Sequence, residues 1–196
     1  MYHYSDFIIG NRASMLEMAS FIGGTAILAF ISRASLRVPE SHGFYRFLAW
    51  ELMLVLVVMN LDGWYDAPPS LTQTICGILM GASLLLAITS YLTLHQFGQQ
   101  DDGRNDTPLL RFEKTTMLVE HGIYRHIRHP MYSSLILLDW GLFFKQPTWL
   151  SGGIATIACI LMVIAALAEE KENVRYFGEQ YREYMTRTLR FMPFFI

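Results

Sequence analysis

Charge is scarce in this chain. Only 16% of its 196 residues are Asp, Glu, Lys or Arg, against about 25% in an average soluble domain. With 53% hydrophobic residues and a mean hydropathy of +0.29, that scarcity argues against an ordinary soluble globular protein. Cysteine is nearly absent as well. Cys76 and Cys159 are the only two, and both lie inside apolar runs, where a thiol behaves as a small hydrophobe. There is no disulfide framework and no spacing of the kind that holds a metal. Internal repeats and low-complexity tracts are also missing, and no nucleic-acid partner is expected.

What the chain has instead is apolar length. Five runs stand out, at 15–32, 45–61, 73–95, 131–144 and 148–168. A bilayer core of about 30 Å needs about 20 helical residues. Three of the runs are near that length, the second is slightly short, and the fourth is expected to tilt little or to stop short of the far surface. The first run is too long for a signal-peptide core, carries Glu17 and has no small-residue cleavage site after it. It is read as a helix.

Lys and Arg supply an independent test, because cytoplasmic loops carry their excess. With five crossings, thirteen of the fifteen Lys and Arg residues fall on one side, leaving Arg12 and Lys145 on the other. The expected architecture is an all-α integral membrane bundle of five transmembrane helices, with the N-terminus outside and the C-terminus in the cytoplasm. A single membrane domain is expected, with residues 1–95 as a three-helix scaffold and 96–196 as the ligand-binding half. On the cytoplasmic side, residues 96–129 form a long loop whose first half, GQQDDGRNDTP, reads as flexible coil. Residues 169–188 are expected to continue the fifth helix as an amphipathic one, since Val174, Phe177, Tyr181 and Tyr184 recur at helical spacing. The apolar tail FMPFFI is expected to return to the membrane surface.

Residues 124–132, YRHIRHPMY, place two arginines and two histidines at the start of the fourth run. Pro130 suits a first helical turn, and the free amides of that turn attract anions. Two readings stand: interfacial anchors touching lipid headgroups, or an anion site built from Arg125, Arg128 and His126 or His129. Only KQPT joins the fourth run to the fifth, so the two form an antiparallel hairpin. The start of one then lies beside the end of the other, which carries Glu169 and Glu170. Acids next to bases suit a ligand of both signs, such as S-adenosylmethionine; a plain salt bridge from Glu169 or Glu170 to Arg125 or Arg128 is the competing reading.

The segments LVEHGIYRHIRHPMY (118–132), EE (169–170) and FGEQYREYMTRTLRFMP (177–193) together resemble the isoprenylcysteine carboxyl methyltransferase family and its phospholipid methyltransferase relatives. The resemblance covers roughly 115–196; residues 1–95 match only in being membrane helices. It implies a membrane-embedded methyltransferase whose cofactor, S-adenosylmethionine, is held at the cytoplasmic face. Thr116, Met117, Leu118 and Val119 would line that cofactor, Tyr124 and the step His129, Pro130, Met131, Tyr132 would pack on it, and Glu169 would bind its amino or ribose groups. An aromatic face beside a sulfonium gains cation–π attraction. Two departures matter. Thr116 stands where the isoprenylcysteine enzymes usually have histidine, and Ala165 where they have an arginine assigned to the acceptor's carboxylate. The second departure argues against a carboxylate acceptor and for a phospholipid amine or another lipid.

Glu170, Asp139 and Arg128 are the candidate catalytic residues. An amine acceptor must lose a proton first, and Glu170, His129 or Asp139 is placed to take it. Asp139 lies about 13 Å past Pro130 by helical rise; interhelical hydrogen bonding as a neutral acid is the alternative for it, as for Glu17 and Glu51. The expected partners are membrane lipids and a lipophilic acceptor entering from the bilayer. Two other functions compete: an NADPH-dependent reductase of the sterol reductase type, which HPMY and the EE…FG…Y…Y series disfavour, and a non-catalytic membrane partner.

Overall fold

The structure, a computed structural model, describes residues 2–64, 68–99, 108–110 and 113–191, with backbone alone for 2–14. Among the described residues six α-helices carry the fold: α1 (Tyr2–Ile31), α2 (His42–Met59), α3 (Leu71–Phe97), α4 (Pro130–Lys145), α5 (Trp149–Phe177) and α6 (Glu179–Arg187). Among the described residues there is no β-strand, only a single bridge between Ile127 and Leu189.

The helices start where side chains satisfy the free amides of a first turn. Ser41 Oγ accepts from the Phe44 amide and Ser70 Oγ from the Gln73 amide, each at 3.3 Å. Thr148 and Ser151 form a reciprocal box, with amide-to-hydroxyl bonds of 3.1 and 2.9 Å, so KQPT turns directly into α5. Three helices are long and apolar enough to cross a membrane, α2, α3 and α5; the apolar part of α1, Met15–Ile31, and the 16-residue α4 are shorter. This is a membrane protein built on apolar helices, with α4 the short member that the sequence suggested.

Packing inside lipid cannot draw on water exclusion, so close van der Waals fit between helices decides it. The face of α5 that meets α2 is made of Ala155, Ala158, Met162, Ala165 and Ala166, each fully buried, opposite Ala49, Met53 and Leu56. Small residues let those two backbones approach. On the other side α4 lies against α3, where Gly141 leaves no room for a side chain: a Cβ there would come within 2.8 Å of Met80 Cγ. At the loop end of this pair, Lys145 Nζ donates to the Trp64 carbonyl at 3.2 Å and to Gln73 at 3.0 Å.

One expectation is corrected. Helix α5 does not run through to 188. It stops at Phe177, because Gly178 adopts φ +65° and ψ −132°, and α6 leaves in a new direction. That backbone state is close to glycine-only. The coil expected over GQQDDGRNDTP and the tail beyond Phe191 fall largely outside the described residues; Phe191 itself is buried in the core.

Candidate functional site

The stretch before α4 is fixed by backbone pairing to the chain that follows α6. The Leu189 amide donates to the His126 carbonyl at 2.9 Å, the Arg128 amide to Leu189 at 2.8 Å, and the His129 amide to Arg190 at 3.1 Å. Arg128 then reaches under the end of α6. Its guanidinium donates to the carbonyls of Met185 (3.0 Å) and Thr188, and through Nε to Glu170 at 2.9 Å. A cation belongs at a helix C-terminus, where free carbonyls gather. Arg190 completes the knot with two bonds to Glu170, both at 3.0 Å.

This frame encloses a cavity of about 100 Å³. It gathers Leu118, Val119, Tyr124, Arg128, His129, Pro130, Met131, Tyr132 and Glu169, which the sequence singled out, on one concave surface. His129 from the start of α4 and Glu169 from the far half of α5 thus face the same space.

Other candidates lie elsewhere. Thr116 is turned away and bonds the Gln99 carbonyl through its amide (3.3 Å) and its hydroxyl (2.9 Å), and Met117 is half-exposed. Thr115, one residue earlier, lines the cavity instead. Glu170 is not on the cavity surface: Arg128 and Arg190 take both of its oxygens, and His129 Nε2 lies 3.4 Å from Oε1. Arg128 does reach the cavity, but its charge is engaged by Glu170 and the end of α6. Asp139 is fully buried in α4, away from the cavity, and neither carboxylate oxygen has a hydrogen-bond partner among the described residues.

Two lining residues, Glu113 from the segment after the long loop and Asn173, carried no signal in the sequence. Phe177, Tyr181 and Tyr184, which the sequence marked only as an amphipathic stripe and by resemblance, face the cavity with them. Behind Glu113 stands a buried ionic chain. Arg46 donates to it while lying 4.9 Å over the Trp50 ring. His42 Nε2 lies 3.5 Å from Glu113 Oε2, and His42 Nδ1 is 2.5 Å from Glu172. Burial alone would raise the Glu113 carboxyl, but Arg46 and His42 hold it down at about 2. It is therefore charged at neutral pH.

The aromatic wall is neutral by contrast. Burial, and then the Glu169 carboxylate, pushes the Tyr124 phenol well above its usual range, and the same two causes raise Tyr181. Tyr184, also raised by burial, donates to the Tyr124 carbonyl at 2.6 Å. Phe177 and Tyr181 stack nearly parallel with centroids 6.5 Å apart. Two buried polar atoms in this surface, His129 Nε2 and Tyr132 Oη, make no hydrogen bond among the described residues. Such orphans are expected where a ligand completes the bonding.

The fold and site together are those of a membrane protein, a bundle of apolar helices with an ionic and aromatic cavity at the helix ends. Residues 71–180 match the family described as phospholipid methyltransferase, more than half of the chain, and the chain belongs to that family. It is also 26% identical over 139 residues to methanethiol S-methyltransferase 1 of Bradyrhizobium diazoefficiens, an alignment covering 66% of this chain and 45% of that protein. The chain therefore spans less than half the length of this curated relative. No solved structure matches it.

Proposed function

We propose that this protein is an S-adenosylmethionine-dependent methyltransferase of the membrane, crossing the bilayer five times with its C-terminus in the cytoplasm. The observation that carries the reading is the single cavity in which Glu113, Glu169, His129 and a wall of neutral phenols converge. S-adenosylmethionine, when bound, supplies an electrophilic methyl group on a sulfonium. The residues present fit such a ligand. Glu169 offers negative charge to its ammonium or sulfonium, the tyrosine faces offer cation–π contact, and the buried His129 and Tyr132 atoms offer hydrogen bonds.

The protein's own part is alignment and exclusion of water. Tyr124, Tyr181 and Tyr184 keep the cavity wall apolar and uncharged at neutral pH. Of the three candidate proton acceptors, only His129 lines the cavity. Its imidazole takes the proton that an amine or thiol acceptor releases, and Glu170, 3.4 Å from Nε2, stabilises the resulting imidazolium. Glu170 is thus a positioning residue in this reading.

The acceptor carries no carboxylate. Ala165, where a carboxylate-binding arginine would stand, is fully buried in the seam between α2 and α5. A lipophilic amine, such as a phospholipid headgroup, entering from the bilayer is the leading acceptor; the methanethiol methyltransferase relative makes a thiol the second. Calorimetry in detergent tests the cofactor: S-adenosylhomocysteine binds in the micromolar range, and Glu169→Ala and Tyr124→Ala each weaken it at least about tenfold. Binding of NADPH instead, or full binding by both variants, would refute the reading. Labelled methyl transfer to phosphatidylethanolamine against a long-chain alkanethiol then separates the two acceptors.

A further inference from the structure

A second hollow lies outside the cavity, between α2 and the far half of α5. It is an open groove of about 690 Å³, with Tyr45, Ile164 and Leu167 in its lining together with Lys171, Glu172 and Arg175. Ile164, Ala168, Lys171 and Arg175 fall on one face of α5 at three- and four-residue spacing. That face changes from apolar to basic over about 16 Å of helix, at the level where α5 leaves its apolar run.

The charges in the groove do not cancel. Lys171 and Arg175 are exposed, and neither has an ion-pair partner among the described residues. Two acids share the lining, Glu172 and Glu40. Glu172 is engaged by His42, which gives it a backbone amide bond at 3.1 Å and an imidazole contact at 2.5 Å. Among the described residues, Glu40, on the loop before α2, is the one acid of the lining left to set against two cations. An apolar trough that ends in net positive charge fits an amphiphile with its acyl chain inward and an anionic head outward.

We propose that this groove is a binding site for an anionic phospholipid. The phosphate sits between Lys171 and Arg175, and an acyl chain lies along Leu167, Ile164 and the Tyr45 ring. Such a lipid is not the methyl acceptor. The ionic chain Glu172–His42–Glu113 stands between groove and cavity, with Glu172 lining the one and Glu113 the other. The site goes beyond the methyltransferase reading and needs only that α5 crosses a bilayer.

The test is lipid retention by the full-length protein, purified in detergent and read by native mass spectrometry after exposure to equimolar phosphatidylglycerol and phosphatidylcholine. The wild type is expected to retain phosphatidylglycerol in preference. Lys171→Gln with Arg175→Gln is expected to lower that retention at least about tenfold, while Arg33→Gln with Arg182→Gln, which removes the same charge elsewhere, leaves it unchanged. Leu167→Trp, which fills the trough without altering charge, is expected to lower it too. Equal retention of the two lipids, equal loss in both double variants, or full retention by Leu167→Trp overturns the proposal. Binding of S-adenosylhomocysteine by each variant reports separately on the integrity of the cofactor cavity.

Discussion

At the scale of single residues, the acid pair on α5 shows how neighbouring identical side chains acquire different tasks. Glu169 faces the cavity, whereas Glu170 turns into a knot with Arg128 and Arg190. Breaking a buried pair by removing one partner costs about 3–5 kcal/mol, because an uncompensated charge stays behind. Glu170→Gln is therefore expected to lower the unfolding midpoint by several degrees in detergent, while the folded fraction still methylates. A variant of wild-type stability with abolished turnover would instead make Glu170 the catalytic base. Glu113 gives a prediction in pH. Its folded carboxyl is held at about 2, below an ordinary 4.5, so the unfolded chain binds the proton more readily. Its stabilising contribution is complete above about pH 4.5 and disappears as pH falls through about 2. Acid unfolding curves should show a gap between wild type and Glu113→Gln that is constant from pH 7 to about 5 and closes near pH 2. A gap that persists at pH 2 would mean that Glu113 is not ionised in the fold. Neither Glu113 nor His42 was legible in the sequence, and Arg46 registered only as a topological charge. Their meaning comes from contacts spanning 67 to 130 positions, which no local pattern carries.

At the scale of elements, apolar length made the cores of α2, α3, α4 and α5 readable to within a few residues, because lipid imposes a single requirement on every position of a run. The break at Gly178 was not readable. Val174, Phe177, Tyr181 and Tyr184 keep a helical spacing straight through it, so periodicity hides the change of direction. That break sets Tyr181 and Tyr184, on α6, in the lining of the cavity that Glu169 also faces. Nothing lies within 4 Å of where a Cβ at Gly178 would be, so Gly178→Ala acts through backbone strain alone, about 1–3 kcal/mol. The chain can relieve that strain by continuing α5, which would carry both tyrosines away. The expected outcome is a moderate loss of thermal stability with a disproportionate, at least about tenfold, loss of S-adenosylhomocysteine affinity. Affinity that falls no further than stability would show that the tyrosines do not depend on the break. The aromatic site residues were thus legible by identity, while the turn that delivers them was not.

At the scale of the whole molecule, the placement of charge and aromatic side chains gives the bundle two unlike ends. One carries the Arg128–Glu170–Arg190 knot, the cavity and the groove. The other carries Lys145 bonded to Trp64 and Gln73, with Trp149 fully exposed beside them, as expected for an interfacial anchor. Between these ends α4 has 16 residues, about 24 Å of helix, less than a bilayer core of about 30 Å. In the proposed orientation, with Lys145 at the opposite interface, its Pro130 end and the cavity beside it would lie below the headgroups of a flat membrane. Under the proposed function, a cavity recessed in this way would admit a cofactor from the water and an acceptor from the lipid. The proposed orientation puts Trp149 outside and Arg182 in the cytoplasm. Single cysteines introduced by Trp149→Cys and Arg182→Cys, in a chain with Cys76→Ala and Cys159→Ala, test it with a membrane-impermeant maleimide. The cysteine at 149 should label in intact cells and the one at 182 only after permeabilisation. Labelling of both from the same side would leave α5 uncrossed, and with it the recess between water and lipid on which two-sided access depends.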